Sequence, residues 1–308
     1  MEKPKVSVVL TTCQGARFLP ELLGSLCSQT RLPEEILVSD DCSTDDSLSI
    51  LRSFAEKHPG IRWRIRQNPR RLGWKRNFIQ TIADAEGEIL FCADQDDVWE
   101  RDKIERMVAC MTEHPEIRVL GCDDVTIDAA GNVTGRRRMR YPAGDALLER
   151  IPLTPTFYES VRPGCGIAIR RDMAQLLVEY WAENCAHDAL AWSLGVLDGS
   201  AWVLHRDLLR YRIHASNTTK KKNTRQEHLE SLELQVQNAR QCAAWLQDRG
   251  ETSGQRCRVV SDALRFFTLR QEAVSRRSLR TLLKVLPYRR CYTYLPSFLK
   301  DLWFLMEN

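Results

Sequence analysis

Residues 88–97 have the sequence Glu-Ile-Leu-Phe-Cys-Ala-Asp-Gln-Asp-Asp. The first six of these residues form a mostly apolar run, which is typical of a strand that is buried on both faces of a parallel sheet. Three carboxylates, those of Asp94, Asp96 and Asp97, follow directly after the run. The stretch therefore predicts a buried strand that ends in a concentrated group of acids.

The chain upstream of this stretch alternates between predicted strands and predicted helices. Strands are predicted at 6–10, 35–39 and 61–66, and helices at 18–29, 43–57 and 73–85. The alternation predicts an α/β fold with a doubly wound, mostly parallel sheet. Ligands of such sheets bind beyond the carboxyl ends of the strands. Because Thr11-Thr12, Asp40-Asp41 and the acids at 94–97 all lie at such ends, we expect them to converge on one edge of the sheet.

The remaining chain divides into a continuation of this domain and a helical region. Further strands are predicted at 119–122, 166–169 and 201–204, a hairpin turn at 128–132, and helices at 102–113, from 170 to about 183 and at 188–197. From Arg225 onward, apolar residues recur at alternating spacings of three and four, which predicts a helix with a narrow apolar seam. Gly250 can end this helix, and a second is predicted at 254–275. The sequence thus predicts an α/β domain over 1–224 and a C-terminal helical appendage over 225–308.

The composition excludes several classes of protein. A chain of 308 residues has room for one large α/β domain and an appendage. Its net charge of +4 excludes a nucleic-acid-binding polycation, so no nucleic-acid partner is predicted. The 11 cysteines are scattered without zinc-like spacing, which suits a reducing cytosol. Neither a signal peptide nor a transmembrane helix is predicted, and we expect a cytoplasmic protein.

Basic residues are concentrated in three places. They lie at 136–140, at 220–222 and between 270 and 290, where Glu272 is the single acid. Solvated helix faces account for such runs, and so does contact with phosphates or an anionic membrane surface. The C-terminal helices are therefore predicted either to pack on the sheet domain or to make a peripheral contact with the inner face of the plasma membrane.

The acids at 94–97 permit two interpretations. Aspartates are common at the N-cap and in the first turn of helices, and an Asp-x-Asp triplet alone is compatible with that role. The alternative is a site for Mg²⁺ or Mn²⁺, which prefer oxygen ligands. Such a cation stabilises the charge that develops when a nucleoside diphosphate leaves a sugar. Asp40 and Asp41 also permit two interpretations. Asp40 can accept a hydrogen bond from N3–H of uracil or thymine, or the two acids can cap the helix that follows; both can hold, one for each acid. Ser43 or Thr44 is the expected N-cap of that helix.

Several short motifs carry a resemblance to a known family. The chain resembles family 2 glycosyltransferases, which have the GT-A fold, over residues 5 to about 217. The matching blocks are 6–12, 39–45, Asn68 with Gly73 and Asn77, 93–99, 164–166, His187-Asp188 and 211–217. The resemblance implies an inverting glycosyltransferase that uses a nucleotide-diphosphate sugar and a divalent cation.

The resemblance also implies roles for particular residues. The pocket for the nucleotide sugar is expected to contain Thr11, Thr12, Asp40, Asn77, Asp94 and Gln95. Asp94 is expected near the ribose and Asp96 on the metal, with His214 beside the diphosphate or metal unless it is an ordinary surface histidine. Asp188 is expected to be the general base that deprotonates the acceptor hydroxyl.

The form of two motifs narrows the resemblance further. The sequence Asp-Gln-Asp-Asp-Val-Trp at 94–99 and the Tyr-Arg-x-His-x-x-Asn block at 211–217 resemble the bacterial rhamnosyltransferase branch. This branch implies dTDP-L-rhamnose as donor and a surface-polysaccharide or lipid-linked precursor as acceptor. The sequence departs from the family pattern at Ala189, where many relatives have tryptophan, and at Ala215, where glycine is usual.

Three other functions compete with this reading. The first is transfer of a UDP-hexose or UDP-N-acetylhexosamine by the same fold. The second is a metal-dependent sugar nucleotidyltransferase, which the single glycine in the loop at 12–17 disfavours. The third is a non-catalytic scaffold, which has no need for Asp40, Asp94, Asp96 and Asp188 together.

Overall fold

The computed structural model describes residues 3–136, 141–142, 146–183, 185–215, 224–293 and 295–306. Most of the basic cluster at 136–140, all of the cluster at 220–222, and Ser216 and Asn217 of the last motif lie outside the described residues.

The described residues form a ten-stranded sheet with helices on both faces. The strands are β1 (Val6–Thr12), β2 (Glu35–Asp40), β3 (Arg62–Gln67), β4 (Ile89–Asp94), β5 (Val98–Trp99), β6 (Val119–Ile127), β7 (Val133–Gly135), β8 (Leu148–Arg150), β9 (Ile167–Arg170) and β10 (Ala201–Arg212). The helices are α1 (Leu19–Cys27), α2 (Ser47–Lys57), α3 (Trp74–Asp84), α4 (Lys103–Glu113), α5 (Arg171–Tyr180), α6 (His187–Asp198), α7 (Arg225–Asp248), α8 (Gln255–Arg276), α9 (Leu279–Leu283) and α10 (Leu295–Met306). Short 3₁₀ turns occur at Gly164–Gly166 and Leu286–Cys291.

The sheet confirms the predicted α/β class. Its strand order is β3-β2-β1-β4-β9-β6-β10-β5, with β7 paired to β6 and β8 paired to β10. The strands β3, β2, β1 and β4 pair in parallel, and so do β6 and β10. The short strand β9 is antiparallel to both β4 and β6 and joins the two parallel halves. The long strands therefore all run in one direction, and the sheet is mostly parallel as predicted.

The apolar character of the central strands follows from burial on both faces. Every residue of β1 and β2 is buried. Val8 packs on one face of the sheet with residues of α1, α2 and α4, whereas Val9 packs on the other face with residues of α3, α5 and α6. Because both faces are covered, a strand without alternating polar residues is the stable choice.

Two strands are much longer than the sequence predicts. The strand expected at 119–122 continues to Ile127, and the one expected at 201–204 continues to Arg212. Polar residues interrupt the apolar pattern there, but they are paired inside the fold. Asp123 accepts hydrogen bonds from Arg162 and lies 3.2 Å from the imidazole of His205. Contacts with residues distant in the sequence, which no local pattern reveals, therefore stabilise the polar residues in this part of the sheet.

The turn predicted at 128–132 is confirmed, whereas the expected start of α2 is wrong. The backbone N–H of Asp128 donates to the carbonyl of Asn132, and β6 and β7 form a hairpin around this turn. Helix α2 begins at Ser47 instead of following Ser43 or Thr44. The carboxylate of Asp45 accepts hydrogen bonds from both the backbone N–H and the hydroxyl of Ser47. The helix therefore starts a few residues later than expected.

The C-terminal helices pack against the sheet domain. Helix α7 begins at Arg225 with a capping box formed by Thr224 and Glu227. Buried residues of α7 and α8, such as Val236 and Phe266, belong to the same apolar cluster as residues of α5 and α6. Among the described residues, no helix is both long and apolar enough to cross a bilayer. The hydrophobic core is thus continuous from the sheet into the appendage.

Candidate active site

The carboxyl ends of β1, β2 and β4 lie side by side at one edge of the sheet. The parallel register pairs Thr12 with Asp40 and Thr11 with Asp94. The hydroxyl of Thr12 donates to Oδ1 of Asp40 across 2.8 Å. Three of the predicted donor-pocket residues therefore meet Asp94 at this edge, although they lie far apart in the sequence.

Asp40 and Asp41 have different structural roles. Asp40 is fully buried, and its Oδ2 accepts hydrogen bonds from the backbone of Ser43 and the amide of Gln67. Asp41 accepts from the backbone N–H groups of Leu72 and Gly73, at 2.7 and 2.8 Å. The prediction that one of these acids caps α2 is therefore wrong, because Asp41 fixes the loop that leads into α3.

Asn77 lies beneath this loop and is almost completely buried. Its amide donates to the carbonyl of Ser39 at 2.8 Å, and its Oδ1 accepts from the amide of Asn68 at 3.0 Å. Asn68 in turn donates to Asp41. The side chain of Asn77 thus supports the loop from inside, and direct contact with a nucleotide sugar stays a prediction.

Gln95 holds the loop that follows β1. Its Oε1 accepts from the backbone N–H of Cys13 at 2.8 Å, and its Nε2 donates to the carbonyl of Cys13 at 3.1 Å. A Cβ atom on Gly15 would lie only 2.5 Å from Oε1 of Gln95, so a side chain there would displace the amide of Gln95. The glutamine in the Asp-Gln-Asp-Asp motif therefore joins the ends of β1 and β4.

Three carboxylates crowd the end of β4. Oδ1 of Asp97 accepts the backbone N–H of Arg212 at 2.9 Å, but its buried Oδ2 has no hydrogen-bond partner among the described residues. Carboxylate oxygens of Asp94 and Asp97 and the sulfur of Cys165 lie within 4.8 Å of one another. Asp96 points elsewhere, with its Oδ2 located 2.7 Å from Nε2 of His214. The two predicted metal ligands, Asp96 and His214, are therefore in contact.

Burial and mutual repulsion make these carboxylates hard to ionise. Burial, followed by repulsion from Asp96 and Asp188, raises the pKa of Asp94 to about 7. Burial and the charges of Asp94 and Asp96 raise the pKa of Asp97 well above its ordinary value. Burial likewise raises the pKa of the Cys165 thiol. Such an arrangement favours an added cation, which would relieve the repulsion.

Asp188 is separated from this group by the turn at Gly164–Gly166. It lies in the first turn of α6, where the helix dipole favours a carboxylate, and its Oδ1 accepts from the backbone N–H of Ala189 at 2.9 Å. Its charge contributes to the raised pKa of Asp94, because the two carboxylates are neighbours. The predicted general base and the acids at 94–97 therefore face one region.

The residue before Asp188 is a buried histidine. The ring of His187 packs on Phe78 with 4.3 Å between the ring centroids, and neither ring nitrogen has a hydrogen-bond partner among the described residues. Burial lowers the pKa of His187, so the imidazole is neutral. A Cβ atom on Gly164 would lie 2.9 Å from Nε2 of His187 and 3.3 Å from Cβ of Asp188. The turn at Gly164–Gly166 thus packs directly against the start of α6.

Two buried basic residues were missed at the level of sequence. The guanidinium of Arg212 donates to the carbonyls of Asp96 and Asp128 and forms an ion pair with Glu21. Lys103 is fully buried, and its ammonium donates to the carbonyl of Cys165 at 2.6 Å. Arg212 lies two residues before His214 within the motif at 211–217, which offers a signal for it, whereas Lys103 looks like an ordinary polar residue at the start of a helix.

The comparisons with known proteins agree with this geometry. Residues 7–178, more than half of the chain, match the model of the family described as glycosyl transferase family 2. The chain therefore belongs to glycosyl transferase family 2, which confirms the resemblance drawn from its motifs.

Two curated relatives match about two thirds of this chain. An uncharacterized glycosyltransferase of Nostoc sp. is 27% identical over 220 residues, which are 69% of this chain and 66% of the relative. The dTDP-rhamnosyl transferase RfbG of Shigella flexneri is 26% identical over 223 residues, which are 68% of this chain and 72% of the relative.

Solved structures extend the likeness of the fold to the whole chain. TarS 1–349 of S. aureus in complex with UDP-GlcNAc aligns with a TM-score of 0.64 and 19% identity, over 97% of this chain and 81% of TarS 1–349. The mannosyltransferase PcManGT of Pyrobaculum calidifontis, in complex with GDP-Man and Mn²⁺, aligns with a TM-score of 0.52 and 16% identity, over 99% of this chain and 86% of its own. The GT-A fold is confirmed, and the C-terminal helices lie within the aligned region.

Proposed function

We propose that this protein transfers a sugar from a nucleotide-diphosphate sugar to a hydroxyl of a cell-surface polysaccharide or lipid-linked precursor, with inversion at the anomeric carbon. The observation that carries the proposal is the turn at Gly164–Gly166, which packs against Asp188 on one side and lies beside Asp94 and Asp97 on the other. The family match favours glycosyl transfer over nucleotidyl transfer or a non-catalytic scaffold.

The proposed reaction is a single in-line displacement. Asp188 takes the proton of the acceptor hydroxyl as that oxygen forms a bond to the anomeric carbon. The bond between this carbon and the diphosphate oxygen breaks, and the electron pair leaves with the nucleoside diphosphate. Asp94 orients the ribose, while Thr11, Thr12 and Asp40 line the nucleoside pocket and Asn77 and Gln95 support its loops. The position of Asp188 across the turn at Gly164–Gly166 from Asp94 and Asp97 supports this assignment.

The acid cluster fits Mg²⁺ or Mn²⁺. The buried Oδ2 of Asp97 without a partner and the raised pKa of Asp94 both indicate carboxylates in need of positive charge. Hard cations of this kind prefer oxygen to sulfur, and the raised pKa of Cys165 keeps its thiol protonated and a poor ligand. Following the family resemblance, we assign Asp96 as the main ligand, with His214 in contact with it and the carboxylates of Asp94 and Asp97 nearby. When bound, the cation would offset the charge that develops on the leaving diphosphate.

Cation binding should depend steeply on pH. The folded pKa of Asp94, about 7, lies above the value of 3.8 expected of the unfolded chain, so metal-free folded protein keeps a proton that the unfolded chain has lost. Stability without metal therefore falls as pH rises from about 4 to 7. Because a bound cation favours the ionised form of the neighbouring Asp94, we expect the Kd for Mn²⁺ to fall by up to ten-fold per pH unit below pH 7 and to level off above it. Calorimetric titration between pH 5.5 and 8.5 measures this, and a flat profile would remove the link to Asp94.

For the donor, we propose dTDP-L-rhamnose, with a UDP-hexose or UDP-N-acetylhexosamine as the alternative. The likeness to a dTDP-rhamnosyl transferase supports the first, and the alignment with TarS, solved with UDP-GlcNAc, supports the second. Both nucleotides carry the N3–H donor that Asp40 is proposed to recognise. Guanine has a different hydrogen-bonding edge.

A thermal-shift screen decides between these donors. With Mn²⁺ present, we expect dTDP-L-rhamnose at about 100 times its Kd to stabilise the protein by about 2.7 kcal/mol, and GDP-sugars to have no effect. A larger response to UDP-N-acetylglucosamine would replace the donor while leaving the enzyme class intact. A selective response to a GDP-sugar would contradict the proposal of a pyrimidine nucleotide as donor.

For the acceptor side, we propose that the C-terminal appendage at 225–308 touches an anionic membrane, where a lipid-linked acceptor would lie. Leu279 and Leu283 of α9 are about half exposed, and so are Leu299 and Trp303 of α10. In each pair the residues are four apart, so each helix has an apolar stripe, and the two helices are in contact. Exposed basic residues surround the stripes at Arg276, Arg277, Arg280, Lys284, Arg289 and Arg290. No acid occurs between 273 and 300.

Flotation with vesicles checks this surface. Apolar side chains with a basic rim are typical of interfacial helices that prefer anionic lipid. We expect wild-type protein to float with phosphatidylglycerol vesicles and not with phosphatidylcholine vesicles, and Leu283→Glu with Trp303→Glu to abolish flotation. Val133→Glu, which changes an equally exposed apolar residue in β7, is the matched control. Equal flotation of all three proteins would exclude the membrane contact.

A further inference from the structure

Lys103, the first residue of α4, is a lysine without solvent contact. Its side chain is fully buried, and its ammonium lies 3.8 Å from the ring centroid of Trp99 and 2.6 Å from the carbonyl of Cys165. A buried ammonium is costly unless nearby groups compensate it. Here the compensation comes from an aromatic face and one carbonyl.

The packing of α4 does not require a charge at this position. The other residues on the buried face of α4 are apolar, among them Ile104, Met107 and Met111. An apolar side chain of similar length would fill the same volume, and replacement of buried ions by apolar groups is often neutral or stabilising. The charge of Lys103 therefore calls for an explanation other than packing.

The carbonyl that Lys103 contacts belongs to the turn at Gly164–Gly166. On one side, Cys165 lies within 4.8 Å of Asp94 and Asp97. On the other side, Gly164 packs so closely on the start of α6 that a Cβ atom there would meet Asp188 at 3.3 Å. One short turn thus separates the acid cluster from the proposed base, and Lys103 binds this turn from below.

We propose that Lys103 is a positioning residue: its buried ammonium holds the turn at Gly164–Gly166 and thereby sets the separation between the acid cluster and Asp188. The effect on catalysis rests on the proposed function, whereas the effect on the turn does not. A misplacement of about 1 Å between reacting groups costs on the order of 100-fold in rate.

The test compares Lys103→Met with Met107→Leu, a change on the same buried helix face that leaves the charge in place. Amide hydrogen exchange is followed in a peptide covering 163–169, and sugar transfer is followed as kcat and KM. We expect exchange at Gly166 to rise about ten-fold in Lys103→Met, and kcat to fall about 100-fold with little change in KM for the donor. Met107→Leu should change neither.

The outcomes separate this proposal from the proposed function. Unchanged exchange in a folded Lys103→Met protein overturns the positioning role whether or not the protein is a sugar transferase. Faster exchange with full transfer activity in Lys103→Met overturns the importance of Lys103 for catalysis. If exchange is faster in Lys103→Met but the wild-type protein transfers no sugar, the contact between Lys103 and the turn is supported and only the proposed function is refuted. Lys103→Gln gives a second neutral variant, and failure of both variants to fold would make Lys103 a structural residue and overturn the proposal.

Discussion

Asp188→Asn is expected to reduce the rate of sugar transfer by about 10²- to 10⁴-fold, the range for loss of a general base. Asparagine keeps the shape of the side chain and can still accept from the backbone N–H of Ala189, but it cannot take a proton from the acceptor. Because a base acts only in the chemical step, the Kd for the nucleotide sugar should change little. Calorimetric binding and initial-rate measurements on the same preparation separate the two effects.

The chain offers a closely matched control for this variant. Asp172 also lies in the first turn of a helix, α5, and its carboxylate also accepts from the backbone N–H of the next residue, Met173. Asp172→Asn therefore makes the same chemical change at the start of a helix, away from the acid cluster, although Asp172 also forms an ion pair with Arg118. We expect it to retain full activity. Substantial transfer by Asp188→Asn would remove the base assignment and direct attention to another proton acceptor at the site.

The order of elements up to β4 could be predicted because local sequence dictates it. The apolar runs at β1, β2 and β4 are stable only in a sheet that is covered on both faces. The acids after β4 are adjacent in the sequence and can be recognised as a group. Beyond β4 the prediction weakens, because pairing depends on distant residues. Strands β6 and β10 continue past the expected ends where Asp123 meets Arg162 and His205, which come from other parts of the chain.

The same reason explains what was missed at the site. The motifs indicated which residues gather at the carboxyl edge, but not how each side chain is used there. Gln95 holds the backbone of Cys13, and Asp41 holds the loop before α3 instead of capping α2. Lys103 gave no signal, because a buried lysine and an exposed one look alike in a sequence. Such supporting contacts depend on which distant groups come within hydrogen-bonding distance.

Asp96→Asn is expected to have the second large effect, on the affinity for Mn²⁺. If Asp96 is the main ligand of the cation, loss of its charge should weaken Mn²⁺ binding about 10- to 100-fold, with transfer falling at least in proportion. His214→Gln should have a smaller effect of the same kind, because His214 contacts Asp96 through Nε2. Titration of Mn²⁺ by electron paramagnetic resonance measures both affinities without relying on activity.

Asp102→Asn serves as the control, since this nearby carboxylate contacts Arg106 on the same helix and lies outside the acid cluster. It should bind Mn²⁺ as the wild type does. Unchanged Mn²⁺ affinity in Asp96→Asn would move the ligand set to Asp94 and Asp97, whose oxygens already face each other beside Cys165. Sugar transfer that persists in EDTA would contradict any role for a cation, whichever residues bind it. The raised pKa of Asp94 would then have to serve proton transfer instead of cation binding, because a carboxyl with a pKa of about 7 is also suited to exchange protons near neutrality.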